Sequence, residues 1–376
     1  MIKQMKELDK LIDSIDFNQL WDGFHKTKFA IYNEHQFYIN DDKGINMNLK
    51  QEEFGFSGDV DGRFMGGNTA IKIDDESVAI WNLRTIFQGL NNVKLVSLLT
   101  HEMFHCFQLG YGEKRFSDEI LGIDYPIGLE NITFRSIERR HLYDAVFEAN
   151  NNRKQALFNQ FLNIRNKRGK LLGNFINYEK ALESLEGTAT YVEFQALKQL
   201  TTNPEKLDLL KKYLEGLVDI SVENLSIRSS TLKQGMLLCM LADDLVPDWK
   251  RKFQNSDLYL CDFIQNELKI PYREIEENFF PTLEVEKCIS EWEKQRDLIF
   301  ENFEKSSDKV IVNEGIQITG FDPMNILKRG NEYIHKHFVK VYINNKEKII
   351  KGPVKMIIGE HLFDIKRMEW LNENIS

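Results

Sequence analysis

The chain has 376 residues, enough to bury a large core in one domain or two. With 49 Lys and Arg against 58 Asp and Glu, a net charge of -9 and a pI near 5.6, it lacks the basic surface that nucleic acid or an anionic membrane rewards, and neither is expected as a partner. No apolar run reaches the roughly eighteen residues of a membrane span, the start Met1-Ile2-Lys3-Gln4-Met5-Lys6-Glu7 lacks the apolar centre of a signal peptide, and Cys106, Cys239, Cys261 and Cys288 show no short C-x-x-C spacing, so a cytoplasmic protein with reduced, packed thiols is expected.

Residues 2–20 predict one amphipathic helix with Ile2, Met5, Leu8, Ile12 and Ile15 on one side. The period then shortens. Strands are expected over 28–32 and 36–40 around Asn33-Glu34-His35, and over 68–73 and 78–81 around Asp74-Asp75-Glu76-Ser77, which together make a small sheet over 28–81. Asp59-Val60-Asp61-Gly62 starts like a calcium loop but lacks its later ligands, and is expected to be a turn.

The run from Asn91 to Gly110 predicts a helix, capped by Asn91 or Asn92, ended by Gly110, and carrying Val96, Leu99, Met103 and Phe107 at three- and four-residue steps. On it His101 and His105 stand one turn apart on one face, where two neutral imidazoles can share a single tetrahedral ion. Glu102 lies about 100° round the helix, aside from the ion but within reach of a water bound to it. His101-Glu102-Met103-Phe104-His105 is thus the H-E-x-x-H pattern of zinc hydrolases.

From 85 to 305 the pattern is helical. Two long charged helices are expected between Glu130 and Asn177, with His141 expected to be solvated rather than a ligand or proton donor. The next helix, from Tyr178, sets Leu182, Leu185, Ala189, Val192 and Ala196 on a packing side and Glu183, Glu186, Thr190 and Glu193 along another. Two histidines leave a catalytic zinc short of one protein donor, and a glutamate here can supply it: Glu186 is the expected third ligand and Glu183 the substitute. Gly187, costly inside a helix, signals close approach of another backbone or a ligand.

His101-Glu102-Met103-Phe104-His105 followed by Glu186-Gly187-Thr188-Ala189-Thr190-Tyr191-Val192-Glu193 resembles the gluzincin metallopeptidases, most of all the aminopeptidase N group with its N-E-G-F-A-x-Y-x-E helix. The resemblance implies an α+β, zincin-like fold, one Zn²⁺ on His101, His105 and Glu186, Glu102 as the base that activates a zinc-bound water, Glu193 close to the metal, and a peptide or small protein as substrate. The matched segments cover about thirty residues, and the chain departs from the family in three places. The interval from His105 to Glu186 is far longer, Leu185 replaces an asparagine, and Leu232 stands where the family's Y-x-K-G carries the tyrosine that steadies the oxyanion. Arg228, Tyr191 and His141 are the candidate replacements; without one, the alternative is a catalytically weak or inactive zinc-binding scaffold that serves a partner. The family's substrate-anchoring strand has a faint echo in Met65-Gly66-Gly67-Asn68-Thr69-Ala70, and its amine-binding glutamate has no match.

Beyond Pro247, Pro271 and Pro281 a charged helix is predicted over 283–305, which closes a catalytic domain of 1–305. Residues 306–376 read as a small β-rich domain: one strand over 333–343, with His335 and His337 on the side of Val339, Val341 and Ile343 as ordinary packed or surface residues, a turn at Asn344-Asn345, and strands near 349–350 and 354–358.

Overall fold

The computed structural model describes residues 2–85, 90–201, 203–273, 279–344 and 346–372. The stretches 86–89 and 274–278, expected within the helical region, and Asn345 of the expected turn lie outside the described residues. The fold mixes helix and sheet, with one sheet near the start of the chain, two near its end and helices between.

Residues 2–20 form two helices instead of one. α1 (Ile2–Ile12) buries Met5, Leu8 and Ile12, and α2 (Phe17–Leu20) begins afresh at Asp16, whose carboxylate accepts from the Gln19 amide. A distant contact reinforces the break, since the Asp16 amide donates to Gln199 Oε1.

The N-terminal sheet has six strands: β1 (Lys28–Tyr32), β2 (Gln36–Ile39), β3 (Lys50–Gln51), β4 (Phe56–Asp59), β5 (Thr69–Ile73) and β6 (Glu76–Asn82), in the order β3-β4-β2-β1-β6-β5. β1 runs parallel to β6, and the other neighbours are antiparallel. The β5–β6 turn is tighter than the polar run suggested: Asp74 takes φ 54° and Glu76 and Ser77 already pair in the strand. Asp61 does make a turn, capping a short 3-10 helix through the Arg63 amide. One face of the sheet, through Phe29, Ile31, Ala79 and Trp81, packs into the main core on α3 (Asn92–Tyr111). That helix is capped by Asn91 and ends at Gly112, φ 81°, two residues beyond the expected Gly110.

The helical body follows: α4 (Glu119–Ile123), α5 (Leu129–Phe147), α6 (Asn151–Leu172), α7 (Phe175–Leu200), α8 (Asn203–Tyr213), α9 (Ile227–Leu245), α10 (Trp249–Gln254) and α11 (Leu260–Glu267). α7 is buried on nearly every side, so its carboxylates do not form a solvated stripe. Glu179 and Glu183, with Glu138 of α5, are sealed against Arg165 and Arg168 of α6 in a buried ionic network. α12 (Leu283–Lys305) leads to the C-terminal unit, burying Phe300 and Phe303 against Ile334.

That unit holds β7 (Lys309–Val312), β8 (Ile316–Phe321), β9 (Ile326–Arg329), β10 (Glu332–His335), β11 (Phe338–Ile343), β12 (Lys346–Lys351), β13 (Val354–Ile358) and β14 (Ile365–Leu371). They form a five-stranded sheet, β7-β14-β13-β10-β9, and a three-stranded sheet, β12-β11-β8, around one apolar core that includes Val339, Val341, Met356 and Trp370. The single strand expected over 333–343 is therefore two. The chain turns at Lys336, whose amide bonds Asn325, and β10 and β11 enter different sheets. Among the described residues no helix is long and apolar enough to cross a membrane.

Candidate metal centre

α3 carries His101 and His105 against α7, and their imidazoles meet Glu186 there. The two Nε2 atoms are 3.1 Å apart, and each lies 3.4 Å from Glu186 Oε2. Donors bound at about 2.0–2.1 Å to a tetrahedral ion stand about 3.3 Å from one another, so the three atoms have the separations that a single such ion requires. Among the described residues this is the one group of three or more His, Cys, Asp and Glu that could hold a metal.

The surroundings fix which atoms face inward. His105 Nδ1 donates to Gln108 Oε1 at 2.7 Å, and His101 Nδ1 to Glu193 Oε2 at 3.2 Å, which turns both Nε2 atoms toward Glu186. Glu193 is itself held by Lys94 Nζ and the Tyr213 hydroxyl, both at 2.7 Å. Gln108 in turn donates to Leu185 O and Thr188 Oγ1, pinning α3 to α7 at the level of the site. Gln108, Lys94 and Tyr213 escaped the sequence reading; Gln108 alone had a local signal, its place three residues after His105 on the same helix.

Three acceptors converging in a buried place demand a positive charge. Burial works against a proton on His101, yet the hydrogen bonds it donates to Glu186 and Glu193 overcome it and raise its pKa to about 10. Burial likewise opposes ionisation of Glu186, but His105, His101 and Arg228 hold its carboxyl well below the usual range. Glu193 follows the same pattern and falls to about 2. A site that draws a proton this strongly is also one that a divalent cation can occupy in the proton's place.

The centre opens into a cleft of about 430 Å³. Glu102 lines it beside the two imidazoles, and burial lifts its carboxyl above the ordinary range although His101 and His105 pull it down. Asn68, Thr69 and Ala70, at the start of the edge strand β5, form one wall. Arg228 from the first turn of α9 stands in another, with Nη2 on Glu186 Oε1 and Nη1 on Glu119 Oε1, each at 2.5 Å. Met324 of the C-terminal unit also reaches the cleft. Together with Arg228 it borders a second, larger space of about 790 Å³ between the helical body and that unit.

Other candidates fall elsewhere. Glu183, the substitute ligand, lies about 60° round α7 from Glu186 and is bound by Arg165 of α6 at 2.6 Å, so it does not join the two histidines. Tyr191 donates to Asp243 at 2.7 Å and packs on Trp249, so its hydroxyl serves another helix contact. His141 lies on α5, half-buried, and does not line the cleft. Of the three candidate oxyanion donors, only Arg228 does so. Leu232 packs beside Tyr178 and Leu182 and supplies no hydroxyl. The four cysteines are free and buried, Cys106 pushed up to about 12 by burial. His335 and His337 join no metal-ligating cluster among the described residues.

Comparison with known protein families, with curated proteins and with solved structures returns no match.

Proposed function

We propose that this chain is a zinc-dependent metallopeptidase of zincin-like, gluzincin type. The observation that carries the proposal is the near-equilateral triangle of His101 Nε2, His105 Nε2 and Glu186 Oε2, with Glu102 beside it on the open side. Two imidazoles, one carboxylate and an open position make up the donor set of a catalytic zinc site, where a structural site would close all four positions with protein. Zinc held there supplies Lewis acidity toward a carbonyl and a water acidic enough to lose a proton near neutral pH.

The chain's own residues account for the rest. Glu102 accepts the proton of the attacking water and passes it to the leaving amine; partial burial suits it to both tasks by bringing its carboxyl closer to neutrality. Arg228, rigidly charged and held by two carboxylates, places a guanidinium beside the cleft where charge develops on a carbonyl oxygen. β5 favours an extended peptide as substrate: an edge strand offers backbone groups to a further strand, and its first residues border the cleft. The space beyond Arg228 and Met324 gives room for residues on one side of the scissile bond.

Metal analysis and peptide cleavage on three proteins test the proposal. The unaltered chain should bind one zinc and cleave, Glu102→Gln should keep the metal and lose turnover, and Glu186→Ala should lose both. Unchanged turnover in Glu102→Gln removes the peptidase. A second reading, a zinc-bearing scaffold without catalysis, rests on Leu232 at the place of the expected tyrosine; zinc binding by the unaltered chain without cleavage of any peptide in a diverse library selects it.

A further inference from the structure

The buried ionic network between α5, α6, α7 and α9 does not balance. Among the described residues, Arg135, Arg139, Arg165 and Arg168 face Glu138, Glu179 and Glu183, four guanidiniums against three carboxylates. Arg165 and Arg168 take up all three carboxylates in ion pairs. Arg135 and Arg139 have none within salt-bridge distance among the described residues, although they are only 2% and 5% exposed. Their partners are neutral: Arg135 Nη2 donates to Ser230 Oγ, Thr231 Oγ1 and Ile227 O, and Arg139 Nη2 donates to Ser230 Oγ. Arg135 Nε and Nη1 and Arg139 Nε are buried with no protein acceptor.

Both side chains line a small cavity with Ser136, Ser221 and Asn224, which leaves about 20 Å³ for the centre of a water-sized sphere. That is room for one single-atom guest. Burial presses both arginines toward losing their charge, and arginine does not yield it. A water can accept from the orphaned N–H groups but leaves the excess charge in place. An anion answers both needs. We propose that Arg135 and Arg139 bind a monatomic inorganic anion of the halide class, chloride under ordinary conditions, in this cavity. The site stands apart from the metal cleft and does not depend on its chemistry. It nevertheless braces the same helix, because Arg135 grips the first turn of α9, on which Arg228 projects toward Glu186.

Thermal unfolding at constant ionic strength, with chloride or bromide exchanged against gluconate, tests the proposal. Gluconate is too large for the cavity. Halide should raise the midpoint by a few degrees in a saturable way, and Arg139→Leu should abolish the response while the protein stays folded, since removing an unpaired buried charge is commonly neutral or stabilising. Among the described residues Asp219 is the one carboxylate that lines the cavity, and it is exposed, so Asp219→Asn should leave the halide response in place. Anomalous scattering from bromide-grown crystals should give a peak between the two guanidiniums. Equal stabilisation by gluconate, a response surviving in Arg139→Leu, a response that arises only in Asp219→Asn, or no peak in well-diffracting crystals overturns the proposal.

Discussion

Gly187 of α7 and Gly235 of α9 meet backbone to backbone: a Cβ on Gly187 would lie 2.5 Å from Gly235 Cα, and one on Gly235 would lie 2.6 Å from both Gly187 Cα and Glu183 O. The two helices cross here at the closest approach that chains without side chains permit. The crossing sits one residue from Glu186 and two turns from Arg228, so it sets the distance over which those two side chains meet. Gly235→Ala should force the helices apart and cost about 1–3 kcal/mol of stability, as over-packing of a tight contact does. Urea unfolding measures it. A cost no larger than that of a typical surface substitution would mean that the helices separate freely at this point.

Glu193 and Gln108 hold the imidazoles by their outer nitrogens. If these hydrogen bonds orient the metal donors, Glu193→Gln and Gln108→Leu should each weaken zinc binding about 10- to 100-fold without removing a ligand. Competition with a chromogenic chelator reads this directly. Gln108→Leu should also loosen the tie to Leu185 and Thr188, and so lower stability more than Glu193→Gln.

α3 was legible because its signals are local: a capping asparagine, apolar residues at helical spacing, and two histidines one turn apart. Gly187 was also legible as a place of close approach, though its partner Gly235, nearly fifty positions on, was not. Glu183 and Glu186 show where such reading ends. Both are acidic residues only about 60° apart on one helix, and which of them meets histidine and which meets Arg165 depends on where α3 and α6 pack around α7. The break between α1 and α2 and the split of β10 from β11 are likewise settled by distant partners, Gln199 and Asn325. The C-terminal unit's Met324 reaches the cleft through tertiary placement alone.

Arg228 carries two separable expectations. As the donor to a developing oxyanion, its replacement in Arg228→Met should lower kcat about a hundred- to a thousandfold while zinc content stays unchanged. As a mere clamp on Glu186, its loss should instead weaken zinc binding and leave kcat of the zinc-saturated protein close to normal. Parallel titration of metal and measurement of kcat distinguish the two, and retained zinc affinity with lost kcat is the expected result.

His335 makes the C-terminal unit sensitive to acid. It sits in β10 at 2% exposure, edge-on to Phe321 at 5.5 Å, with neither ring nitrogen bonded. Burial lowers its pKa from 6.5 to about 4, only partly offset by Asp322, so the folded imidazole is neutral where the unfolded one already binds a proton. Below pH 6.5 the unfolded state gains that proton first, and stability falls with pH until about 4, where the folded state takes it up as well. The full loss is about 3 kcal/mol. His335→Phe keeps a flat ring against Phe321 and removes the titration. The difference in unfolding free energy between variant and unaltered protein should therefore be constant above pH 7 and move in the variant's favour from about pH 6.5 down to about pH 4. Urea unfolding across that range, followed by tryptophan fluorescence to which Trp370 of the same core contributes, measures it. A difference that stays flat with pH would show that the buried ring is not held neutral.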